Sequence, residues 1–305
     1  MHPLLRVNHL TKIFGSFHAV DSISFDIPKG SIIGMLGKNG AGKTTTIRML
    51  LGITTPTSGN IQYFGKDFTI HRENSLQRIN YISSYNTLLG RTTVFENLQI
   101  YAWLYKTQNH KKRIQELLSY FEVEDTKNQR YEDLSSGQKT RVNLIKSLLN
   151  DPELILMDEP TAALDPDIAD KTLSLIEEWK KQKNLSILYT SHNMQEVTRL
   201  CDEVIFLSDG KIIEKDTPLN LAKKVTQAEL ILTYEKDQKQ TYDYLHSRNI
   251  SYIHKHPNKL VIQTSEKDIP RIIFDISKTG LWMEDIIINK PTLEDFFLQV
   301  SRKKQ

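Results

Sequence analysis

Short apolar runs alternate with segments of helical spacing along the first two thirds of the chain. Three runs of four to six residues predict buried strands: Ile32–Leu36, Leu154–Met157 and Leu185–Thr190. Apolar residues recur at helical spacing in four longer segments: Val94–Tyr105, Lys111–Phe121, Gly137–Leu149 and Ile168–Lys183. Strands that alternate with helices predict a mainly parallel α/β core.

Turn residues and shorter strands surround this core. Residues 4–35 have the pattern of short strands, and Pro28-Lys29-Gly30 predicts a turn. Thr57-Ser58-Gly59-Asn60 predicts another turn, followed by a strand over Ile61–Phe64. Ser208-Asp209-Gly210 lies between two apolar segments and predicts a hairpin. Antiparallel strands therefore accompany the parallel core.

The pattern changes after about Pro218. Strands are predicted at Glu229–Tyr234, Ser251–His254, Leu260–Thr264 and Met283–Ile288, with helices at Gln238–Arg248 and Lys267–Thr279. This order is β-α-β-β-α-β, the ferredoxin-like split pattern. Thr292, with Asp295 three residues later, predicts the start of a last helix in the manner of a capping box. We therefore divide the chain into residues 1–218 and a small α+β domain of residues 219–305.

Composition restricts the class of protein and its compartment. The 305 residues have a net charge of +3 with 25% charged residues, which gives no indication of binding to nucleic acid. The single cysteine, Cys201, excludes an intramolecular disulfide framework and is expected to be a small buried apolar residue. No apolar run approaches the roughly 18 residues of a membrane span, and the N-terminus lacks an apolar signal core. A cytosolic protein is expected.

One segment fits the phosphate-binding pattern G-x-x-x-x-G-K-[ST]: Gly37-Lys38-Asn39-Gly40-Ala41-Gly42-Lys43-Thr44-Thr45. The strand Ile32–Leu36 enters it and a predicted helix over Thr45–Leu51 leaves it, which is the context that the pattern requires. Its glycines allow backbone angles that turn successive N–H groups inward around an anion. Lys43 is expected to reach the β- and γ-phosphates of a nucleotide, and Thr44 is expected to ligate Mg²⁺.

Two carboxylates follow a later strand. Asp158 and Glu159 come directly after Leu154–Met157, at the end of the strand where α/β sheets bind ligands. Asp158 is suited to the Mg²⁺ shell, and Glu159 is suited to polarising an attacking water. The alternative is an acidic pair that caps a later helix.

A small-residue segment, Leu134-Ser135-Ser136-Gly137-Gln138, lies between the phosphate-binding segment and these carboxylates. Small residues at this point predict the start of a helix, so that backbone N–H groups and the Ser135 hydroxyl face a phosphate. The segment taken alone is a weak signal, and its position between the two other motifs is what gives it meaning.

These motifs resemble those of the ATP-binding cassette (ABC) family, in the same order, over residues 4 to about 218. Gly37–Thr45 is similar to the family's Walker A motif, Leu154–Glu159 to its Walker B motif and Leu134–Gln138 to its signature sequence LSGGQ. The resemblance implies an α/β P-loop NTPase fold with a RecA-like parallel sheet core. It also implies an antiparallel β subdomain and a helical subdomain at about residues 86–150, with the small α+β domain following.

Three further residues match the family. Asp165, in Ala163-Leu164-Asp165, resembles the D-loop aspartate that contacts the dimer partner, although the residue also suits a helix cap. His192 resembles the switch histidine that contacts the γ-phosphate; a lone histidine at a strand end would ordinarily be structural. Phe14 occupies the place of the aromatic residue that stacks on adenine, and Phe17 is a nearby competitor.

The resemblance implies a mechanism. Two cassettes, either two copies or one copy and a homologue, pack head to tail and hold each ATP between one chain's Walker A motif and the other's signature. Ser135 and Gly137 would contact the nucleotide from the opposing chain. Lys43, His192 and Mg²⁺ would stabilise the charge on the γ-phosphate, with Glu159 as the general base.

Two positions depart from the family. The helix start Thr93–Leu98 matches T-V-x-E-N-L, and counting back from it puts Ser84 where the family has a glutamine. A serine hydroxyl can contact Mg²⁺ or its water but is shorter, so we expect altered coupling to a partner rather than loss of hydrolysis. Ser136 replaces the first glycine of the signature; the N–H remains, and the added Cβ is expected to weaken nucleotide binding.

A cassette without a membrane span requires a partner that has one. The resemblance implies a polytopic membrane permease as a separate chain, in contact with Tyr85–Arg91 and Val94–Tyr105. Three aromatic residues there suit an interface: Tyr101, Trp103 and Tyr105.

The ending Pro291–Phe297 resembles the P-S-L-E-D-x-F endings of cassettes that pair with export permeases. The chain is therefore interpreted as a peripheral exporter ATPase on the cytoplasmic side of the cell membrane. One alternative is an ABC ATPase acting on nucleic acid or ribosomes, but such relatives have two cassettes or long coiled coils. Another is a regulatory ATPase whose residues 219–305 bind a ligand or dimerise. No residue indicates the transported substrate.

Overall fold

The computed structural model of the protein describes residues 3–83, 88–162, 164–235, 239–256 and 258–302. The chain divides into two compact units, Met1–Pro218 and Leu219–Gln305. The described candidate site residues all lie in the first unit. Ser84, assigned to the metal from the sequence, lies outside the described residues, as does Ala163 of the predicted D-loop. In the described ranges, no helix combines the length and apolar character needed to cross a bilayer.

The elements of the first unit follow each other in this order: β1 (Leu5–Phe14), β2 (Phe17–Ile27), β3 (Ile32–Leu36), α1 (Lys43–Leu50), β4 (Ser58–Tyr63), β5 (Lys66–Asp67), α2 (Arg72–Leu76), β6 (Ile79–Ser83), α3 (Val94–Leu104), α4 (His110–Tyr120), α5 (Ser136–Leu148), β7 (Leu154–Asp158), α6 (Pro166–Lys183), β8 (Ser186–Thr190), α7 (Met194–Leu200), β9 (Glu203–Ser208) and β10 (Lys211–Asp216). Helix α8 (Pro218–Lys223) follows and was not predicted from the sequence.

A mixed sheet in the order β10-β9-β3-β8-β7-β6 forms the centre of the first unit. Its strands β9, β3, β8, β7 and β6 are parallel, and β10 pairs antiparallel with β9. All five residues of β3 and of β8 are buried, which explains their mainly apolar sequences. Ser83, Asp158 and Thr190 are in register across β6, β7 and β8, so their carboxyl ends meet at one edge of the sheet.

A second, antiparallel sheet has the order β2-β1-β4-β5. The prediction of a turn at Thr57–Asn60 is wrong, because β4 already begins at Ser58. Gly59 has a φ of 88°, and a Cβ there would lie 2.3 Å from the His9 carbonyl oxygen. The pairing register between β1 and β4 shifts at this point, so the glycine serves a bulge within a strand rather than a turn before one.

Three helices form the helical part of the first unit. Helices α3, α4 and α5 pack against one another, and each contributes buried apolar residues, among them Leu98, Ile114 and Ile145. Helix α3 begins at Thr93, whose hydroxyl oxygen accepts from the Glu96 N–H while the Glu96 carboxylate accepts from the Thr93 N–H. This capping box fixes the start of the helix that the sequence pattern predicted.

The second unit contains a four-stranded antiparallel sheet in the described residues, in the order β12-β13-β11-β14. Its elements are β11 (Ala228–Tyr234), α9 (Lys239–Ser247), β12 (Tyr252–His256), β13 (Lys259–Thr264), α10 (Ile269–Ser277), β14 (Met283–Asn289) and α11 (Leu293–Arg302). The first and third strands, β11 and β13, are central, which is the arrangement of a split β-α-β-β-α-β unit. Alternate residues of β11, such as Leu230 and Leu232, form a core with Leu245 and Ile272 of the two helices.

Candidate nucleotide-binding site

The loop between β3 and α1 lies so close to neighbouring backbone segments that two of its glycines have no room for a side chain. A Cβ on Gly42 would lie 2.5 Å from the Ala19 carbonyl oxygen, and a Cβ on Gly37 would lie 2.4 Å from that of Leu207. Gly42 also has a φ of 105° and is the N-cap of α1. Gly40, with a φ of 82°, has open space around it. The loop thus has the left-handed backbone positions that an anion-binding nest requires.

The ammonium group of Lys43 lies within this loop. It donates to the carbonyl oxygens of Gly37 at 2.6 Å and Lys38 at 3.2 Å, and the residue is 6% exposed. Burial lowers the pKa of Lys43, and the nearby carboxylates of Glu159 and Asp158 oppose that shift. An ammonium has three N–H donors. Two of them are used within the loop, and the third suits a phosphate oxygen.

Asp158 ends β7 beside the end of β8. Its Oδ1 accepts from the Thr190 hydroxyl at 2.6 Å, which fixes the orientation of the carboxylate. Thr44, in the first turn of α1, is exposed. These are hard oxygen ligands, and within the described ranges no group of three or more acidic, histidine or cysteine side chains is placed to hold a metal ion by itself. A site with only a few protein ligands is suited to Mg²⁺, because this ion keeps several waters and takes further oxygens from substrate phosphates.

Glu159 contacts His192 directly. Glu159 Oε1 lies 2.6 Å from His192 Nε2, with the two side chains 22% and 49% exposed. Glu159 has a φ of 52°, an uncommon value for a residue other than glycine, and its N–H donates to the Thr190 carbonyl oxygen at 3.0 Å. The alternative of an acidic helix cap does not apply, because the next helix begins at Pro166 with Asp165 as its N-cap.

The signature segment begins α5, as predicted. Ser135 is the N-cap: its hydroxyl oxygen accepts from the Gln138 N–H at 3.3 Å, and the Gln138 side chain accepts from the Ser135 N–H at 3.0 Å. The hydroxyl proton of Ser135 therefore remains to be donated. Ser136 is an ordinary first residue of the helix and is exposed, whereas a Cβ on Gly137 would lie 2.8 Å from Ile168 Cγ2.

The two remaining candidate contacts, Phe14 and Asp165, are both exposed. Phe14 ends β1 opposite Phe17, and both rings are exposed, at 51% and 62%. The Lys12 ammonium lies 5.0 Å from the centroid of the Phe14 ring. The structure therefore leaves both rings available for stacking. Asp165 is the N-cap residue of α6 by its backbone, but in the described structure its side chain makes no capping hydrogen bond.

Sequence reasoning missed two buried charged residues near the site. Glu196 of α7 is 6% exposed and accepts hydrogen bonds from three hydroxyl groups. Lys146 of α5 is 7% exposed and donates to the Tyr81 carbonyl oxygen in the middle of β6. The available signal for Glu196 was its place on the same helix face as Val197 and Leu200, where a charged residue needs partners.

A phosphate-binding loop after a central parallel strand, with two carboxylates at the end of another strand of the same sheet, defines a P-loop nucleoside triphosphatase. The family model "ABC transporter" matches residues 20–162. The bacitracin transport ATP-binding protein BcrA of Bacillus licheniformis is 32% identical over 98% of this chain and 98% of its own length. The Nod factor export ATP-binding protein I of Ralstonia nicotianae is 35% identical over 77% of this chain and 74% of its own.

Two more proteins extend the comparison. The methionine import ATP-binding protein MetN of Photorhabdus laumondii is 36% identical over 70% of this chain and 65% of its own. The solved structure of cbiO1 from Clostridium perfringens, part of the ABC transporter complex cbiONQ, has a TM-score of 0.65 and 27% identity. It covers 72% of this chain and 91% of that chain. The chain belongs to the ABC transporter family, as an ATP-binding subunit that hydrolyses ATP. The family predicted from the sequence is confirmed.

Proposed function

We propose that this chain is the ATPase subunit of an exporter and that it drives a separately encoded polytopic permease from the cytoplasmic side of the membrane. Residues 1–218 are the ATP-binding domain and residues 219–305 an accessory domain. The observation that supports the catalytic site most directly is the 2.6 Å contact between Glu159 and His192. Both residues follow strands that are adjacent to each other in the sheet.

Glu159 acts as the general base in this proposal. Its carboxylate accepts a proton from the water that attacks the γ-phosphate, and the paired His192 keeps it oriented toward that water. General-base catalysis contributes about 10²–10⁴-fold to a rate. Lys43 holds the β- and γ-phosphates as a buried cation, and the backbone N–H groups from Asn39 to Thr45 surround them.

Thr44 and Asp158 would hold Mg²⁺, since both offer the hard oxygen ligands that this ion prefers. When bound, the metal neutralises charge that develops on the phosphates. Thr190 assists by fixing the orientation of the Asp158 carboxylate through a hydrogen bond to one of its oxygens. Ser84 is proposed as an additional contact to the metal or its water, on the resemblance alone.

A second cassette completes the site. Ser135, with its hydroxyl proton available, and Gly137 contact the nucleotide bound to the partner, while Asp165 contacts the partner itself. The exposed side of Phe14 stacks on adenine. ATP shifts the equilibrium toward a closed dimer only by its extra affinity for that state.

The permease contacts the helical part of the first unit. Three apolar side chains are exposed there: Leu89 at 56%, Trp103 at 61% and Leu104 at 63%. Tyr101 and Tyr105, predicted with Trp103 as interface aromatics, are half-buried. The interface proposal therefore narrows to Trp103 and its apolar neighbours.

Export is favoured over import by the C-terminal ending. Pro291–Phe297 resembles the endings of cassettes that pair with export permeases, and the structure begins α11 within it, with Thr292 and Asp295 forming the predicted capping box. The Nod factor export relative agrees with this direction, while the methionine import relative covers less of the chain.

The proposal is tested by recovery of the permease. Tagged Glu159→Gln protein with ATP is used to isolate partners from detergent-solubilised host membranes, and these are identified by mass spectrometry. Stoichiometric recovery of a polytopic membrane protein supports the proposal. The additional substitution Trp103→Ala should reduce recovery, whereas Ile70→Ala, at an apolar residue that is 76% exposed elsewhere in the unit, should not. Recovery of ribosomes, nucleic acid or only soluble chains would contradict it.

A further inference from the structure

A buried carboxylate lies between the two segments that carry the catalytic candidates. Glu196 Oε2 accepts from the Tyr189 hydroxyl at 2.8 Å and from the Ser191 hydroxyl at 2.7 Å. The Thr161 hydroxyl lies 2.9 Å from each oxygen of the same carboxylate. All four residues are at most 6% exposed. A carboxylate can only accept, so three hydroxyl groups are committed to donating to one buried charge.

The donors come from both sides of the site. Ser191 immediately precedes His192, and Thr161 lies two residues after Glu159. Thr161 lies within a tight turn that follows Glu159, in which the Ala162 N–H donates to the Glu159 carbonyl oxygen at 3.3 Å. Glu196 is therefore bonded to the segment of the general base and to the segment of the histidine that pairs with it.

The end of β8 divides its side chains between two carboxylates. Thr190 donates to Asp158, while its neighbours Tyr189 and Ser191 donate to Glu196. This follows from the alternation of side chains along an extended chain. One short segment thus fixes the metal-binding carboxylate on one side and is itself fixed by Glu196 on the other, and His192 is the next residue.

We infer that Glu196 is a positioning residue for hydrolysis, which holds the Glu159 and His192 segments at the separation that their 2.6 Å contact requires. It acts through Thr161 and Ser191 and does not itself touch the nucleotide. The inference rests on the proposed roles of Glu159 and His192.

The negative charge is the property that matters. A glutamine of the same size would turn an N–H₂ group toward hydroxyls that now donate, so at least one hydroxyl would have to rotate and lose its present bond. Burial raises the pKa of Tyr189, and Glu196 raises it further, which keeps this hydroxyl a donor. Hydrogen bonds to a charged acceptor are about twice as strong as neutral ones, so the four residues form a stiff unit.

The test compares Glu196→Gln with Glu177→Gln. Glu177 of α6 also joins two helices, by accepting from Arg199 of α7 at 2.9 Å and 3.1 Å, and in the described part of the chain it has no hydrogen bond to Ser191 or His192. Steady-state ATPase kinetics should show kcat reduced about 10- to 100-fold in Glu196→Gln with KM for ATP within about twofold, because a misplacement of about 1 Å costs up to 10²-fold. Glu177→Gln should leave both parameters within about twofold.

A single-hydroxyl variant provides the second measurement. Ser191→Ala removes one donor and keeps the carboxylate, so it should fold normally and lower kcat by about 3- to 10-fold without changing KM, a smaller effect than losing the charge. Unchanged kcat in either Glu196→Gln or Ser191→Ala would overturn the inference. So would an equal loss of kcat in Glu177→Gln.

These outcomes are distinct from failure of the proposed function. Glu159→Gln that still hydrolyses ATP normally would remove the proposed general base, whatever Glu196 does. Glu159→Gln that is inactive, together with an active Glu196→Gln, would leave the proposed function standing and reject only the positioning role.

Discussion

His192 Nε2 and Glu159 Oε1 lie 2.6 Å apart at the ends of two adjacent parallel strands. The Thr190 carbonyl oxygen accepts from the Glu159 N–H, so the backbone of one strand end also holds the other. A carboxylate and an imidazole in direct contact restrict each other's orientation. Substitution of Glu159 and substitution of His192 therefore both test the role of this contact.

Glu159→Gln is expected to reduce ATP hydrolysis by about 10²–10⁴-fold, because an amide cannot accept the proton of the attacking water. ATP affinity should be retained, since the phosphate loop and Lys43 are unchanged. Single-turnover hydrolysis and equilibrium nucleotide binding measure the two effects. Glu153→Gln, at a carboxylate paired with Arg78, is the control and should hydrolyse ATP normally. Normal hydrolysis by Glu159→Gln would show that another group is the base.

His192→Ala is expected to lower kcat by about 10- to 100-fold and to change ATP affinity little. This range corresponds to the loss of a charge-assisted contact of about 1.5–3 kcal/mol. The protein should remain folded, since the side chain is 49% exposed. Thermal unfolding and steady-state kinetics check both statements. A histidine with only a structural role would instead show a lower Tm and an unchanged kcat.

Lys43→Met should weaken ATP binding by about 10- to 100-fold, through loss of a charged hydrogen-bond donor to the phosphates. The methionine keeps the aliphatic stem of a residue that is only 6% exposed, so the Tm should not fall. Isothermal titration with ATP measures the affinity. Lys38→Met, in the exposed part of the same loop, is the matched control and should bind ATP nearly as tightly as the unmodified protein. Equal losses in the two variants would indicate a general charge effect.

Gly42→Ala and Gly40→Ala separate backbone strain from steric exclusion. Both glycines have positive φ, which costs an alanine about 1–2 kcal/mol. Only Gly42 has a neighbour in the way, the Ala19 carbonyl oxygen at 2.5 Å from the added Cβ. Gly42→Ala should therefore have the lower Tm, by the additional cost of overpacking, about 1–3 kcal/mol. Equal Tm values would mean that the loop relaxes to accept the methyl group.

The fold class was predictable because apolar periodicity and turn residues agree along most of the chain. The runs that became β3, β7 and β8 are short and mainly apolar, as expected for strands buried on both faces. The turn predicted around Gly59 failed because a glycine with positive φ serves a β-bulge as well as a turn. Nothing in the local sequence distinguishes the two.

The candidate site was predictable where it is contiguous in sequence and not where distant segments meet. The residues of the loop from Gly37 to Thr45 are consecutive, so the local sequence is enough to predict its backbone conformation. The bonds of Glu196 were not predictable, because Thr161 lies 35 positions away and the contact depends on tertiary packing. The direct pairing of Glu159 with His192 likewise depends on the register of β7 and β8.

Lys146 is expected to make the stability of the protein depend on pH. Burial lowers the pKa of Lys146 from its ordinary value of 10.5 to about 8. The ammonium donates to the Tyr81 carbonyl oxygen at 3.2 Å and lies 5.4 Å from the centroid of the Tyr101 ring. Below pH 8 the lysine is charged in both the folded and unfolded states, so the cost of burying the charge is fully present. Between pH 8 and 10.5 the unfolded chain binds more protons, so the free energy of unfolding rises with pH, by at most about 3 kcal/mol.

Lys146→Met removes the charge while keeping the length of the side chain. At pH 7 the variant should be more stable than the unmodified protein by about 2 kcal/mol, after loss of the bond to Tyr81, worth about 1 kcal/mol. The advantage should disappear as the pH approaches 10, because the unmodified protein then buries a neutral amine. Thermal unfolding of both proteins from pH 7 to 10 measures the difference. Lys139→Met is the control, because Lys139 is on the same helix but makes an exposed bond to the Glu132 carbonyl oxygen. A Tm difference that stays constant over this pH range would show that Lys146 does not titrate there.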